Sequence, residues 1–172
     1  AFVTNADELS QAAKDKDKIF GLFSSKHMAF EADRSATQEP SLTEMTSSAI
    51  EVLSRNNDGY FLMVESGRVD HAHHATNAYR ALTDAQEFSR AVQAAVDAVD
   101  LNETLILVTA DHSHVFTIAG YPERGNPILG FVARSDSGIR EYTNAADGKP
   151  YTTLGYHNGP NATGDERATH TE

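Results

Sequence analysis

A chain of 172 residues with a formal net charge of −11 has about one domain's length and the wrong sign for nucleic acid or an anionic membrane as partner. Apolar residues make up 40% and charged residues 23%, an ordinary globular balance that can bury roughly 70% of the unfolded surface. There are no cysteines, so disulfides and thiolate sites are excluded and any metal must be held by oxygen and nitrogen donors. No run approaches the ~20 apolar residues of a membrane span. The sequence lacks a signal peptide and a starting Met, and both ends read as cut from something longer.

Residues 1–18 alternate charge and alanine, which predicts an exposed helix capped at Asn5 or Asp7. The short apolar run 19–23 suits a parallel strand, and the polar stretch 24–40 reads as a loop. Ser41 and Glu44 stand at capping-box spacing, with Leu42, Met45, Ala49, Val52 and Leu53 following at helical intervals. Asn56-Asn57-Asp58-Gly59 ends that helix and turns the chain.

The next stretch, Tyr60-Phe61-Leu62-Met63-Val64, is a continuous β-favouring apolar run, as expected of a strand buried on both faces. It ends in Glu65, a turn through Gly67, then Asp70, His71, His73 and His74. Open α/β sheets place their sites at such strand ends. Asp70 and His74 share a face on a helix and can grip one ion; His73 can turn to the same side, and His71 points elsewhere. A long helix is expected over 77–99, with Ala81, Leu82, Ala85, Phe88, Val92, Ala95, Val96 and Val99 as its apolar stripe. After the turn Asp100-Leu101-Asn102-Glu103, the run 104–110 predicts a second buried strand, ending in Asp111, His112 and His114. Strand, helix and strand in alternation give an α/β fold with a parallel sheet. From Gly120 onward Gly, Pro, Asn, Asp and Ser become dense, with short strands such as 128–133, which reads as a loop-rich insertion.

Each donor has a plain alternative. Asp70 and His74 can be a solvated helix start, Asp111 a helix cap, and Glu65 a strand-end carboxylate. Two strand tips that both end in acid and imidazole favour a site for more than one metal. His114 can orient an aspartate from behind. Glu65, a hard oxygen donor with no adjacent imidazole, suits magnesium better than zinc. His27, His157 and His170 lie in polar loops and read as solvated. No glycine-rich phosphate loop is present.

The segment Val64-Glu65-Ser66-Gly67-Arg68-Val69-Asp70-His71-Ala72-His73-His74 closely resembles the metal-binding segment of alkaline phosphatases, usually VEGGRIDHGHH. Thr109-Ala110-Asp111-His112-Ser113-His114 matches their TADHSH segment. Agreement extends to Gly21-Leu22-Phe23, Pro40-Ser41-Leu42-Thr43-Glu44-Met45-Thr46, Ala78-Tyr79-Arg80-Ala81-Leu82-Thr83, Gly120-Tyr121-Pro122 and Asn158-Gly159-Pro160. The resemblance is to the animal and marine-bacterial type and covers nearly the whole chain.

The resemblance implies part of a three-layer α/β/α fold with a mostly parallel sheet, residues 1–119 belonging to the catalytic domain and 120–172 to a truncated, crown-like insertion. It implies hydrolysis of phosphate monoesters with two zinc ions and one magnesium, usually by a secreted or periplasmic homodimer. Asp70 and His74 would ligate the first zinc, Asp111 and His112 the second, and Glu65 the magnesium. His71 would face the phosphate pocket and His114 would stand behind Asp70.

The family's serine nucleophile, in a segment like DSAAT, has no counterpart; Ser35-Ala36-Thr37 falls in the wrong part of the pattern. The phosphate-binding arginine belongs to the same missing part. The third ligand of the first zinc belongs to a segment like THAGED, and His170 follows Asn158-Gly159-Pro160 too closely to be it. Ser66 and His157 stand where the family has glycines. A calcium site of animal relatives is matched at Phe23 and Glu39, with Ser24 in place of a carboxylate. A metal-binding domain without catalysis, or a related sulfatase or phosphodiesterase, remains an alternative.

Overall fold

The computed structural model describes residues 1–36, 39–136 and 139–157. Residues 158–172, which include His170 and the Asn158-Gly159-Pro160 motif, lie outside them. Two compact units are distinguished: residues 1–71 with 79–111, and 72–78 with 112–172.

In the first unit, Asn5 caps helix α1 (Ala6–Asp15) by accepting the Glu8 N–H at 2.9 Å. Asp7 and Glu8 place negative charge at the positive end of that helix. The helix is not exposed all round, as the charge pattern suggested. Leu9 and Ala12 join buried Val3, with Ile19, Phe23 and Met45 packed against them. The 19–23 run contributes β2 (Phe20–Gly21), which pairs in parallel with β1 (Phe2–Val3). Part of the predicted loop, Glu31–Ala36, is a 3-10 helix.

Helix α2 (Leu42–Leu53) starts on the expected capping box: the Glu44 N–H donates to Ser41 Oγ at 3.1 Å, and the Ser41 N–H to Glu44 Oε2 at 2.7 Å. Just beyond its end, the Arg55 guanidinium donates from Nη1 to the Lys16 carbonyl at 3.0 Å and from Nη2 to the Ala13 carbonyl. Those carbonyls belong to the C-terminal end of α1, where helical acceptors lack intrahelical donors.

Helix α4 (Ala78–Ala98) matches the predicted long helix, but its buried face is turned. Ala81, Asp84, Glu87 and Ala91 are buried, while Ala85, predicted to lie on the apolar stripe, is exposed. The two carboxylates are buried because the preceding chain needs acceptors. Asp84 receives the Glu31 N–H at 3.1 Å, and Glu87 receives the Thr43 N–H, in the first turn of α2, at 2.9 Å. Burial raises Asp84 above the usual carboxyl range. Burial also pushes Glu87 up, but hydrogen bonds from Thr43 and Arg90 outweigh it and hold the carboxyl low.

The two runs expected to be strands buried on both faces are in no sheet. Residues 60–64 and 104–110 join no ladder, and Phe61, Met63, Leu105 and Leu107 are exposed by 89, 76, 81 and 81%. Strand burial is a non-local property: it needs a neighbour in the hydrogen-bonding direction and a layer on each face. Among the described residues these runs have neither.

The second unit is built from short antiparallel pairs. Strand β3 (Phe116–Ile118) pairs with β6 (Leu154–Tyr156), and β4 (Ala133–Asp136) with β5 (Ile139–Tyr142). The strand read at 128–133 therefore begins only at its last residue. Val132, Ala133, Thr153 and Leu154 are buried. Gly120, at φ +87°, packs so closely that a Cβ there would meet Val132 Cγ2 at 2.4 Å; only glycine satisfies both the dihedral and the space.

Candidate metal centre

Helix α3 (Arg68–His74) follows the turn at Ser66-Gly67 and carries Asp70 and His74 one turn apart. The His74 ring meets His114 edge-on, centroids 4.8 Å apart. Two imidazoles thus stand together, and Asp70 adds a carboxylate from one turn earlier on the same helix; this is an Asp/His donor group suited to a cation. Asp70 and His114 are half-buried and His74 is exposed, so two donors are oriented by their surroundings and the third is open to solvent. The donor set of one carboxylate and two imidazoles fits zinc.

His73 is turned to other partners. Its Nδ1 lies 2.8 Å from the Tyr156 hydroxyl, and its ring stacks on His114 at 5.3 Å and against Phe116 at 4.9 Å. Burial raises Tyr156 above the ordinary phenol value, which keeps its hydroxyl protonated. The His73 link fixes the C-terminal turn of α3, and His73 stacks on His114, the ring that meets His74. Nothing near Tyr156 in the sequence announces this role, because it depends on β6 pairing with β3 far along the chain. His71 points elsewhere, as the helical period requires: its Nδ1 lies 3.0 Å from Arg68 Nη1 and its ring 4.5 Å from His27. The Arg68 guanidinium also covers the Phe30 ring at 3.7 Å.

Asp111 and His112 follow the run 104–110, and both are exposed. The His112 Nδ1 lies 2.8 Å from the Ser113 carbonyl. Among the described residues they join no group of three donors. Glu65 lies in the first unit, in a cavity of about 160 Å³ that it shares with Glu31, Asp84, Glu87, Arg34 and Arg68. The His114 ring, expected behind the ligands, lies against one of them, His74.

The family profile described as Alkaline phosphatase matches residues 1–172. A membrane-bound alkaline phosphatase of Bombyx mori is 41% identical over 162 residues, covering 94% of this chain and 28% of that protein. The tissue-nonspecific isozymes of Felis catus and Homo sapiens are 44 and 42% identical, over 84 and 92% of this chain and 26 and 29% of theirs. The crystal structure of Thermus thermophilus alkaline phosphatase superposes with a TM-score of 0.56 at 31% identity, over 59% of this chain and 22% of that one. The α/β fold read from the sequence holds, as part of such a domain. The chain thus spans between a quarter and a third of the length of these curated relatives.

Proposed function

Because this chain belongs to the alkaline phosphatase family, we propose that it is the portion of a longer polypeptide that supplies metal ligands for hydrolysis of phosphate monoesters. The observation that carries this reading is the donor group on and beside α3, Asp70 and His74 with the His114 ring against His74. In this reading Asp70 and His74 hold one zinc, Asp111 and His112 a second, and Glu65 a magnesium. Bound divalent ions supply Lewis acidity and offset the −11 charge of the chain for an incoming phosphate.

The remaining work falls to the chain itself. Helix α3 sets the spacing of Asp70 and His74. The His73 link to Tyr156 holds the end of α3, and stacking on His73 places the His114 ring against His74. Arg68 orients His71 toward the phosphate pocket. The serine nucleophile, the phosphate-binding arginine and a further ligand of the first zinc come from the rest of the family's length. Residues 1–119 then belong to the catalytic domain and 120–172 to a loop-rich, crown-like insertion. Homodimerisation and a periplasmic or cell-surface location belong to the same proposal. Among the described residues no helix is long and apolar enough to cross a membrane. Calcium is left out of the set, because Ser24 gives the Phe23 and Glu39 region no carboxylate at that position.

Calorimetric titration of the purified chain with zinc tests the ligand assignment. Asp70→Asn and His74→Ala are each expected to weaken binding at least about tenfold. Affinity unchanged in both variants overturns it.

A further inference from the structure

His71 takes no part in the donor group of Asp70, His74 and His114, yet two contacts within the first unit hold its ring. The first comes from its own helix. Arg68 Nη1 lies 3.0 Å from His71 Nδ1. A guanidinium has donors and no acceptor, so Nδ1 must accept and the ring proton must sit on Nε2. Arg68 is placed in turn by Phe30, whose ring lies 3.7 Å below its guanidinium, with Arg80 4.8 Å from the same ring.

The second contact comes from His27, which the sequence suggested was only solvated. Its side chain is exposed, but its ring rests against His71, centroids 4.5 Å apart and planes 54° apart. The loop is braced on both sides of it. Ser24 Oγ donates to the His27 carbonyl at 3.0 Å, and the Ala29 N–H donates to Glu39 Oε2 at 2.7 Å.

We propose that Arg68 and His27 are positioning residues for phosphate. Arg68 keeps the His71 proton on Nε2, His27 holds the plane of the ring, and the Nε2–H is thereby a preset donor to a non-bridging oxygen of the phosphate monoester. This rests on the proposed function, in which His71 faces the phosphate pocket. The opposite tautomer would offer that oxygen a lone pair and repel it. A donor aimed before the substrate arrives needs no reorganisation as charge develops.

Two measurements test the assignment. Long-range nitrogen–proton NMR of the His71 ring in the purified chain reads the tautomer. Kinetics of the longer polypeptide, with inorganic phosphate as inhibitor, read the donor. Wild type is expected to show one tautomer, protonated on Nε2. Arg68→Met is expected to show a mixture, and Arg68→Lys, which keeps a donor, to restore the single form. In the longer polypeptide Arg68→Met is expected to lower kcat/KM and to weaken phosphate inhibition, each at least about tenfold, with Arg68→Lys recovering most of both. His27→Ala is expected to keep the tautomer and to lower kcat/KM about threefold, the scale of one ring contact; His27→Phe restores it. Zinc affinity of the chain is expected to be unchanged in all four variants. A wild-type ring protonated on Nδ1, or a single tautomer in Arg68→Met, overturns the inference and leaves the proposed function standing. So does a loss of zinc affinity that parallels the loss of activity, because it assigns both side chains to support of α3 alone. A longer polypeptide that hydrolyses no phosphate ester overturns the proposed function and this inference together.

Discussion

Asp70 and His74 ride on a helix whose last turn is tied to Tyr156 through His73, whereas Asp111 and His112 follow an apolar run that belongs to no sheet. In the sequence each pair is an acid and an imidazole after an apolar run, with Asp111-His112 the stronger single signal. The difference between them lies in what supports each pair. A helix closes its hydrogen bonds within itself, so it presents donors at fixed spacing wherever it forms. An extended run gains the same definition only when another strand lies beside it. Donor groups of one chemistry can thus depend on quite different lengths of chain.

The strongest way to break this contrast is to disable one pair at a time. In the longer polypeptide, Asp111→Ala is expected to lower kcat/KM for a generic phosphate ester at least about a thousandfold, roughly 4 kcal/mol of barrier. In the chain alone, the same substitution is expected to leave zinc affinity within about twofold, while His74→Ala weakens it. Equal losses from Asp111→Ala and His74→Ala in the chain alone would show that both pairs are already organised.

The helical framework can be probed next. Glu87→Gln removes the charge that receives the Thr43 N–H and the Arg90 guanidinium, and is expected to cost about 2 kcal/mol at neutral pH. Its folded pKa is depressed, so this stability is present above the ordinary glutamate value of about 4.3 and is lost as pH falls through the lowered one. Denaturant melts of wild type and variant should therefore converge under acid. Asp84, raised by burial, acts in the opposite sense: it favours the folded state most below the ordinary aspartate value, and that contribution fades as pH rises through its raised pKa. If Glu87→Gln also weakened zinc binding, the donors on α3 would depend on the framework below them.

Ser41→Ala is expected to cost about 1 kcal/mol through the lost cap, read as a lower melting temperature with zinc affinity unchanged. A stability effect of similar size, about 1 kcal/mol, is expected for Tyr156→Phe, which deletes one hydrogen bond. A drop of a few-fold in zinc affinity would show that the His73 link holds the end of α3 in place.

What could be read ahead of the structure was local. Asn5, the Ser41 and Glu44 box and the Asp70 to His74 spacing act within one turn of chain, and each stands where the residues placed it. The burial of Asp84 and Glu87 could not be read, because it depends on main-chain donors at Glu31 and Thr43 reaching them from another part of the chain. The role of Tyr156 was hidden for the same reason. The runs at 60–64 and 104–110 were read as strands from composition, which is silent about pairing, and they join no sheet.

The guanidinium of Arg55 is spent on the last carbonyls of α1. Trypsin, to cut after it, must draw that side chain into its own specificity pocket, and so must first strip α1 of its terminal donor. A nick at position 55 therefore reports fraying of a helix far earlier in the chain. Limited digestion should cut at exposed Lys26 well before it cuts there, and an early nick at 55 would reveal that the grip on α1 has already been released.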